Sequence, residues 1–240
     1  MNPEVVIADA AVLSRALAFD FEAEGRRAIG ARGRFIVAVP GGSVGSQCFP
    51  ELGRLSFDWS RTEFIWVDER GVAPSDPESN YALARSLWLE PAGVPAARIH
   101  RMPADDADLH QAAMAYADRL RAIAGDPPRL DFVLLGAGSD GHVASLFPGD
   151  PVAGNTQDLV AVVDDAPMPP RRRLTLTLPV LADAGRVVVA AFGTSKAEAI
   201  RDALERPESV LPLAAVMRRS RRPLILVDHG AAALLTAGRY

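Results

Sequence analysis

The chain of 240 residues has a single cysteine, Cys48, and a single lysine, Lys196. One cysteine excludes an intrachain disulfide and any multi-cysteine metal site, and it fits a reducing compartment. The four histidines are scattered along the chain, so no metal and no cofactor is expected. No apolar run approaches the ~20 residues of a membrane span, so no membrane partner is expected either. The opening MNPEVVIADAAVLSRAL carries Glu4 and Asp9 and lacks a basic leader, which argues against a secretory signal. Net positive charge is missing as well: at −4 the chain does not offer the basic face that nucleic-acid binding requires. These absences together predict a cytoplasmic protein whose partner is a small molecule. They say nothing of protein partners.

What is present has globular proportions, 49% hydrophobic and 23% charged. A chain of this length can bury about 70% of the surface it exposes when unfolded, so its core needs no staples. Five short apolar runs stand out: RFIVAVP (34–40), EFIWVD (63–68), DFVLLGAG (131–138), RVVVAAFG (186–193) and PLILVD (223–228). They do not alternate, are rich in Val, Ile and Phe, and end in Gly, Pro or Asp, as strands buried on both faces do. Helical stretches are predicted over 10–30, 79–90, 106–124 and 195–205. In the third, Leu109, Ala112, Ala113, Tyr116 and Leu120 recur at three- and four-residue steps, which makes one buried face. Strand–helix alternation along the whole chain predicts an α/β fold with a mostly parallel central sheet and helices on both faces. No linker or repeat interrupts it, so residues 1–240 are expected to form one domain. The long irregular pieces, 68–78, 136–157 and 164–172, include two that follow strands directly, where open α/β sheets bind ligands.

Four motifs carry candidate chemistry. Gly41-Gly42-Ser43 ends a strand and precedes a helix, so its amides could hold a phosphate; equally, Ser43 could simply cap the helix. Pro50 is expected to shorten or kink that helix. Asp68-Glu69-Arg70 ends another strand, with Asp68 suited to proton handling or positioning and Arg70 to a forked anion contact, unless the two form a structural ion pair. Ser79-Asn80-Tyr81 downstream opens a helix and reads equally as its cap. The stretch LLGAGSDGHVASLFPG (134–149) contains a literal G-x-G-x-x-G, but Pro148 and Gly149 interrupt the long helix that a dinucleotide site needs. Its glycines instead free the backbone around Asp140 and His142, a carboxylate and an imidazole suited to proton transfer near neutral pH. Lys196 lies just past a strand at a helix start, in a chain with 25 arginines, which suggests a position that needs a compact ammonium. Arginine clusters at Arg171–Arg173 and Arg218–Arg222 read first as solvated surface.

With these pieces assembled, the sequence resembles the 6-phosphogluconolactonase family over nearly its whole length. The resemblance is carried by GGS (41–43), VDER (67–70) with SNY (79–81), IHRM (99–102), LLGAGSDGHVASLFPG (134–149), RLTLTLPVL (173–181) and GTSKAEAI (193–200). It implies a modified Rossmann-like fold and hydrolysis of 6-phospho-D-glucono-1,5-lactone in the pentose phosphate pathway. His142 would be the general base and acid, with Asp140 and Asp68 orienting it. Gly41, Gly42, Ser43, Arg70, Gly138, Arg173 (or its neighbour Arg172) and Lys196 would hold the phosphosugar lactone. Related glucosamine-6-phosphate deaminases place a ring-opening glutamate five residues after the histidine, where this chain has Phe147. Val44-Gly45 stands where the family usually has Thr-Pro. The alternatives are a sugar-phosphate isomerase or deaminase, a non-catalytic sugar-phosphate sensor, and a nicotinamide oxidoreductase built on the glycine pattern.

Overall fold

The computed structural model describes residues 3–240; of the expected 1–240 unit, Met1 and Asn2 lie outside the described residues. The chain begins with β1 (Glu4–Ile7), α1 (Ala10–Arg32), β2 (Phe35–Val39), α2 (Gly42–Leu52) and β3 (Thr62–Trp66). It continues through β4 (Asp68–Arg70), α3 (Asn80–Ala84), α4 (Leu109–Ala124), β5 (Phe132–Gly136), β6 (Val160–Val163) and β7 (Arg173–Leu176). The last part holds α5 (Leu178–Ala182), β8 (Arg186–Ala191), α6 (Ala197–Glu205), α7 (Pro212–Arg219) and β9 (Pro223–Val227).

Six strands form one parallel sheet in the order β1-β9-β8-β5-β2-β3. Every residue of β2, β8 and β9 is buried, so both faces of the sheet centre are covered, and that is why these runs are apolar without alternation. All five predicted runs are strands of this sheet. β1 was not anticipated: it is four residues long, lies at the edge and is only partly buried, so its apolar signal is weak. From β2 the chain moves outward to β3, whereas from β5 it moves the other way to β8. The two central neighbours, β2 and β5, therefore flank a switch point, and a crevice opens at their carboxyl ends.

A second sheet, antiparallel and three-stranded in the order β4-β7-β6, also escaped the sequence reading. Its strands are three or four residues long; β4 lies in the stretch 68–78 read as irregular, while β6 and β7 fall between and after the irregular pieces 136–157 and 164–172, in residues for which no element is predicted. It is fused to the first sheet, since only Val67 separates β3 from β4 and the Leu176 amide donates to the Val67 carbonyl at 2.8 Å. At the opposite, amino-terminal edge, an aromatic cluster fixes α1 to the strands. Phe21 packs edge-on against Phe35 at 5.0 Å and against Phe132 and Trp88 at 5.3 Å each. The Rossmann-like expectation thus holds with a small antiparallel addition beside the crevice.

Candidate functional site

The first wall of the crevice is the start of α2. Ser43 is not its cap: the N-cap is Gly41, which has no side chain, and Ser43 is already inside the helix. Gly42 has a φ of +59°, a left-handed conformation suited to glycine. The amides of Gly42, Ser43 and Val44 consequently face the crevice without a partner among the described residues, at the positive end of an eleven-residue helix. Gly41 is required for a different reason, since a Cβ there would lie 1.7 Å from Asn80 Oδ1. Val44 is buried against Gly136 and lines the crevice with a methyl group. Pro50 neither cuts nor shortens α2, because it falls in the last turn, which continues to Leu52.

The small sheet forms the second wall. In its antiparallel register Asp68 pairs with Thr175 and Arg70 with Arg173, so these four side chains share one face. Arg173 is buried. Its Nε donates to the Pro170 carbonyl at 2.8 Å and its Nη2 to the Met168 carbonyl at 3.1 Å, while Nη1 has no acceptor among the described residues. Burial lowers the pKa of this guanidinium; repulsion from Arg70 pushes the same way and the Asp68 carboxylate opposes. A buried cation with a free donor favours an anion beside it. Arg70 holds the Glu78 carbonyl at 2.7 Å with Nη1, and its Nε is buried without a partner among the described residues. Arg172 is exposed and reaches the Ala107 carbonyl, so of the two neighbouring arginines only Arg173 enters the crevice.

Glu69 points to the other face of β4 and ties the wall down. Its carboxylate accepts from the amides of Arg70, Asn80 and Tyr81 at 2.7, 2.8 and 2.8 Å and from Ser79 Oγ at 3.0 Å. Burial nevertheless pushes its pKa up. The carboxylate thereby fixes Asn80, whose Nδ2 donates to Asp68 Oδ1 at 3.1 Å and to the Asp68 carbonyl at 2.8 Å. Ser145 Oγ donates to Asp68 Oδ2 at 2.6 Å. Asp68 is thus held by Asn80 and Ser145 and makes no hydrogen bond to His142. The direct contact by which it would orient the histidine is absent from this structure, each of its oxygens being held by a neighbour of its own.

The third wall is the loop after β5. Asp140 Oδ1 accepts from His142 Nδ1 at 2.6 Å and from the His142 amide at 3.2 Å. A carboxylate only accepts, so Nδ1 carries the proton and Nε2 is left as the basic nitrogen. Gly138 is what lets the pair form, because a Cβ there would lie 2.1 Å from His142 Nδ1 and 2.5 Å from Asp140 Oδ1. Its amide already donates to the His142 carbonyl at 2.9 Å, so Gly138 shapes the loop and has no N–H to offer a ligand. The turn is tight enough to hold Ala144, a non-glycine residue, at a φ of +51°. Phe147 is buried on Val163 and Ala166; its ring lies 4.7 Å from the His142 ring and 5.6 Å from the Arg173 guanidinium carbon. It is a pillar between base and cation.

Nine of the ten residues predicted for the site line one cavity of about 330 Å³: Gly41, Gly42, Ser43, Asp68, Arg70, Gly138, His142, Arg173 and Lys196. The tenth, Asp140, stands behind His142. Lys196 sits between Gly193, at a φ of +88°, and α6, and its Nζ makes no hydrogen bond or ion pair within the described residues. Missed were Asn80 as the holder of Asp68, Ser145, Phe147 as a pillar, and Met168 in the cavity lining. SNY and ASLFP belonged to the motifs quoted above, but only the fold shows what these residues touch.

The sequence model of the family described as glucosamine-6-phosphate isomerases/6-phosphogluconolactonase matches residues 8–225. A 6-phosphogluconolactonase of Mycobacterium tuberculosis is 38% identical over 218 residues, covering 87% of this chain and 88% of the relative. One of Rattus norvegicus is 39% identical over 217 residues, covering 86% and 83%. The crystal structure of the 6-phosphogluconolactonase from Leishmania guyanensis superposes with a TM-score of 0.82 at 29% identity, over 99% of this chain and all of the other. The nine residues gathered at the β2–β5 switch point lie within the matched span, and the chain belongs to the glucosamine-6-phosphate isomerase/6-phosphogluconolactonase family.

Proposed function

We propose that this protein is a 6-phosphogluconolactonase, hydrolysing 6-phospho-D-glucono-1,5-lactone to 6-phosphogluconate in the pentose phosphate pathway. The observation that carries the reading is a histidine–aspartate pair and three unpaired cationic or amide donor groups around one cavity. The family contains isomerases as well; Phe147 in place of an acid beside His142 favours the lactonase, since an apolar ring cannot assist sugar-ring opening. No helix among the described residues is long and apolar enough to cross a membrane, and the pathway assignment goes with a cytoplasmic location.

In the mechanism we infer, the phosphate dianion sits at the α2 amides between Lys196 Nζ and Arg173 Nη1. This explains how an acidic chain binds an anion, because the positive charge is local. Held there, the lactone presents its carbonyl carbon to a water hydrogen-bonded to His142 Nε2. Nε2 takes a proton as the water oxygen bonds to that carbon. The resulting imidazolium is stabilised by Asp140 and returns the proton to the ring oxygen as the ester bond breaks. Such proton transfer contributes roughly 10²–10⁴-fold, and positioning by the anchored phosphate supplies much of the rest. Arg70 and Asp68 shape the cavity wall beside Arg173, with Asp68 balancing its charge.

The test is turnover of freshly prepared 6-phosphogluconolactone, followed through formation of 6-phosphogluconate and corrected for spontaneous opening. Acceleration well above that background supports the reading. No acceleration together with tight binding would instead indicate a sensor.

A further inference from the structure

The arginine cluster Arg218–Arg222, read from sequence as solvated surface, borders a second cavity of about 310 Å³ at the other edge of the central sheet. Its floor is the amino-terminal ends of three strands: Ile36 on β2, Leu130 and Asp131 before β5, and Ala184 and Gly185 before β8. A five-residue strand spans ~17 Å, so this cavity and the site described above lie on opposite sides of the same strands. Five guanidiniums surround it, from Arg27, Arg32, Arg34, Arg129 and Arg221.

The carboxylates nearby do not balance them. Asp131 is buried and engaged, accepting from the Ile36 amide at 2.9 Å and pairing with Arg32. Asp183 is shared by Arg221 at 3.5 Å and Arg129 at 3.9 Å, neither of which is a hydrogen bond. Glu24 is shared by Arg27 at 2.6 Å and Arg222 at 2.7 Å. Arg34 has no ion-pair partner among the described residues. Six guanidiniums therefore meet three carboxylates, and α1 and α4 end here with roughly half a negative charge each. A surplus of about two positive charges remains, in a chain whose net charge is −4.

We propose that this cavity is a second anion site, taking the dianionic phosphate group of a small phosphorylated metabolite. Planar guanidiniums suit phosphate oxygens through forked contacts, and here two of them hold their partners too loosely to satisfy their donors. The cavity is nearly as large as the first, leaving room for the organic part of a phosphate ester beside its phosphate.

Calorimetric titration of the full chain with glucose 6-phosphate tests this in a Lys196→Ala background, which removes the lysine of the other cavity. One equivalent is expected to bind, and adding Arg34→Gln and Arg221→Gln is expected to weaken it at least tenfold. Both arginines are exposed, so Arg34→Gln/Arg221→Gln in the natural background should leave lactone turnover and melting temperature unchanged. Inorganic phosphate and sulfate complete the set. Phosphate binding as tightly as the ester assigns the site to free phosphate, whereas a tenfold preference for the ester assigns it to a metabolite. No binding in the Lys196→Ala chain, binding that survives the arginine substitutions, or equal affinity for sulfate would each overturn the proposal.

Discussion

Replacing Gly138 with alanine places a methyl group where the imidazole of His142 now lies. The added Cβ would sit 2.1 Å from Nδ1, 2.3 Å from Cε1 and 2.5 Å from Asp140 Oδ1, against an ordinary contact distance beginning near 3.4 Å. The φ of Gly138 is outside the left-handed region, so the backbone itself accepts alanine. The ring must therefore retreat by roughly 1 Å, and Phe147, packed 4.7 Å away, restricts where it can go. A 1 Å misplacement of a reacting group can cost about 10²-fold, which is about 2.7 kcal/mol of transition-state stabilisation. Gly138→Ala is thus expected to lower kcat by about that factor. KM should move little, because Arg173, Lys196 and the α2 amides are untouched. Steady-state kinetics on the phosphorylated lactone gives both parameters, and a thermal melt checks the fold. The decisive comparison is with Gly138→Ala/His142→Ala. If the methyl acts only through the histidine, the double variant has the kcat of His142→Ala. Losses that multiply, or a Gly138→Ala kcat within threefold of the natural chain, would refute the assignment of the His142–Asp140 geometry to catalysis.

Four further outcomes are expected. His142→Ala should lower kcat by at least ~10²-fold with substrate affinity nearly unchanged, since it removes a proton carrier and leaves the anchor; near-normal turnover would remove the residue from the mechanism. Lys196→Arg should cost at least ~10-fold in kcat/KM on the phosphorylated lactone, mostly through KM, and leave the phosphate-free lactone nearly indifferent; equal losses on both substrates would mean that the lysine serves the fold. Burial pushes the Cys48 thiol up to about 11, so iodoacetamide at pH 8 should label the native protein negligibly and the denatured chain once, as read by intact mass. Burial acts to raise the pKa of Glu24, but hydrogen bonds from Arg222 and Arg27 outweigh it and hold the carboxylate below its ordinary 4.5. Its stabilising contribution is therefore complete above pH 4.5 and is lost as pH falls through the lower folded value. Glu24→Gln should accordingly flatten the acid limb of a denaturation curve measured from pH 6 downward.

The parts of the molecule legible in the sequence are those where one physical cause dominates. Strands covered on both faces must be apolar throughout, and all five such runs lie in the central sheet. Gly42 and Gly138 were legible as glycines that free a backbone, yet their purposes differ, and only the fold tells them apart: one presents amides, the other makes room for an imidazole. The small sheet was hidden because β4, β6 and β7 are shorter than any period can establish, and because DER is wholly charged while RLTL mixes polar and apolar residues. With the sheet unseen, Asp68 could be assigned to His142, although Asn80 and Ser145 hold it. Arg172 and Arg173 are adjacent in a run of three arginines, and nothing local distinguishes them; the register of β7 does.

That register has a consequence for how this chain can change over time. β4 continues β3 across a single residue, so inserting or deleting one residue at 67–70 would turn Asp68 and Arg70 away from the cavity and bring Glu69 in. The same slip in β7 would exchange Arg173 for Leu174. Within the connection from the loop after β5 to β6, Val152 packs on Phe147 and the Asp158 and Leu159 carbonyls hold Thr177, but residues 154–157 between them line no wall of the cavity. Length variation among descendants of this sequence should therefore collect in 154–157 and be absent from 67–70 and 173–176. Substitutions within β4 and β7 would be restricted on both faces, since Glu69 holds the start of α3 and every residue of β7 is buried.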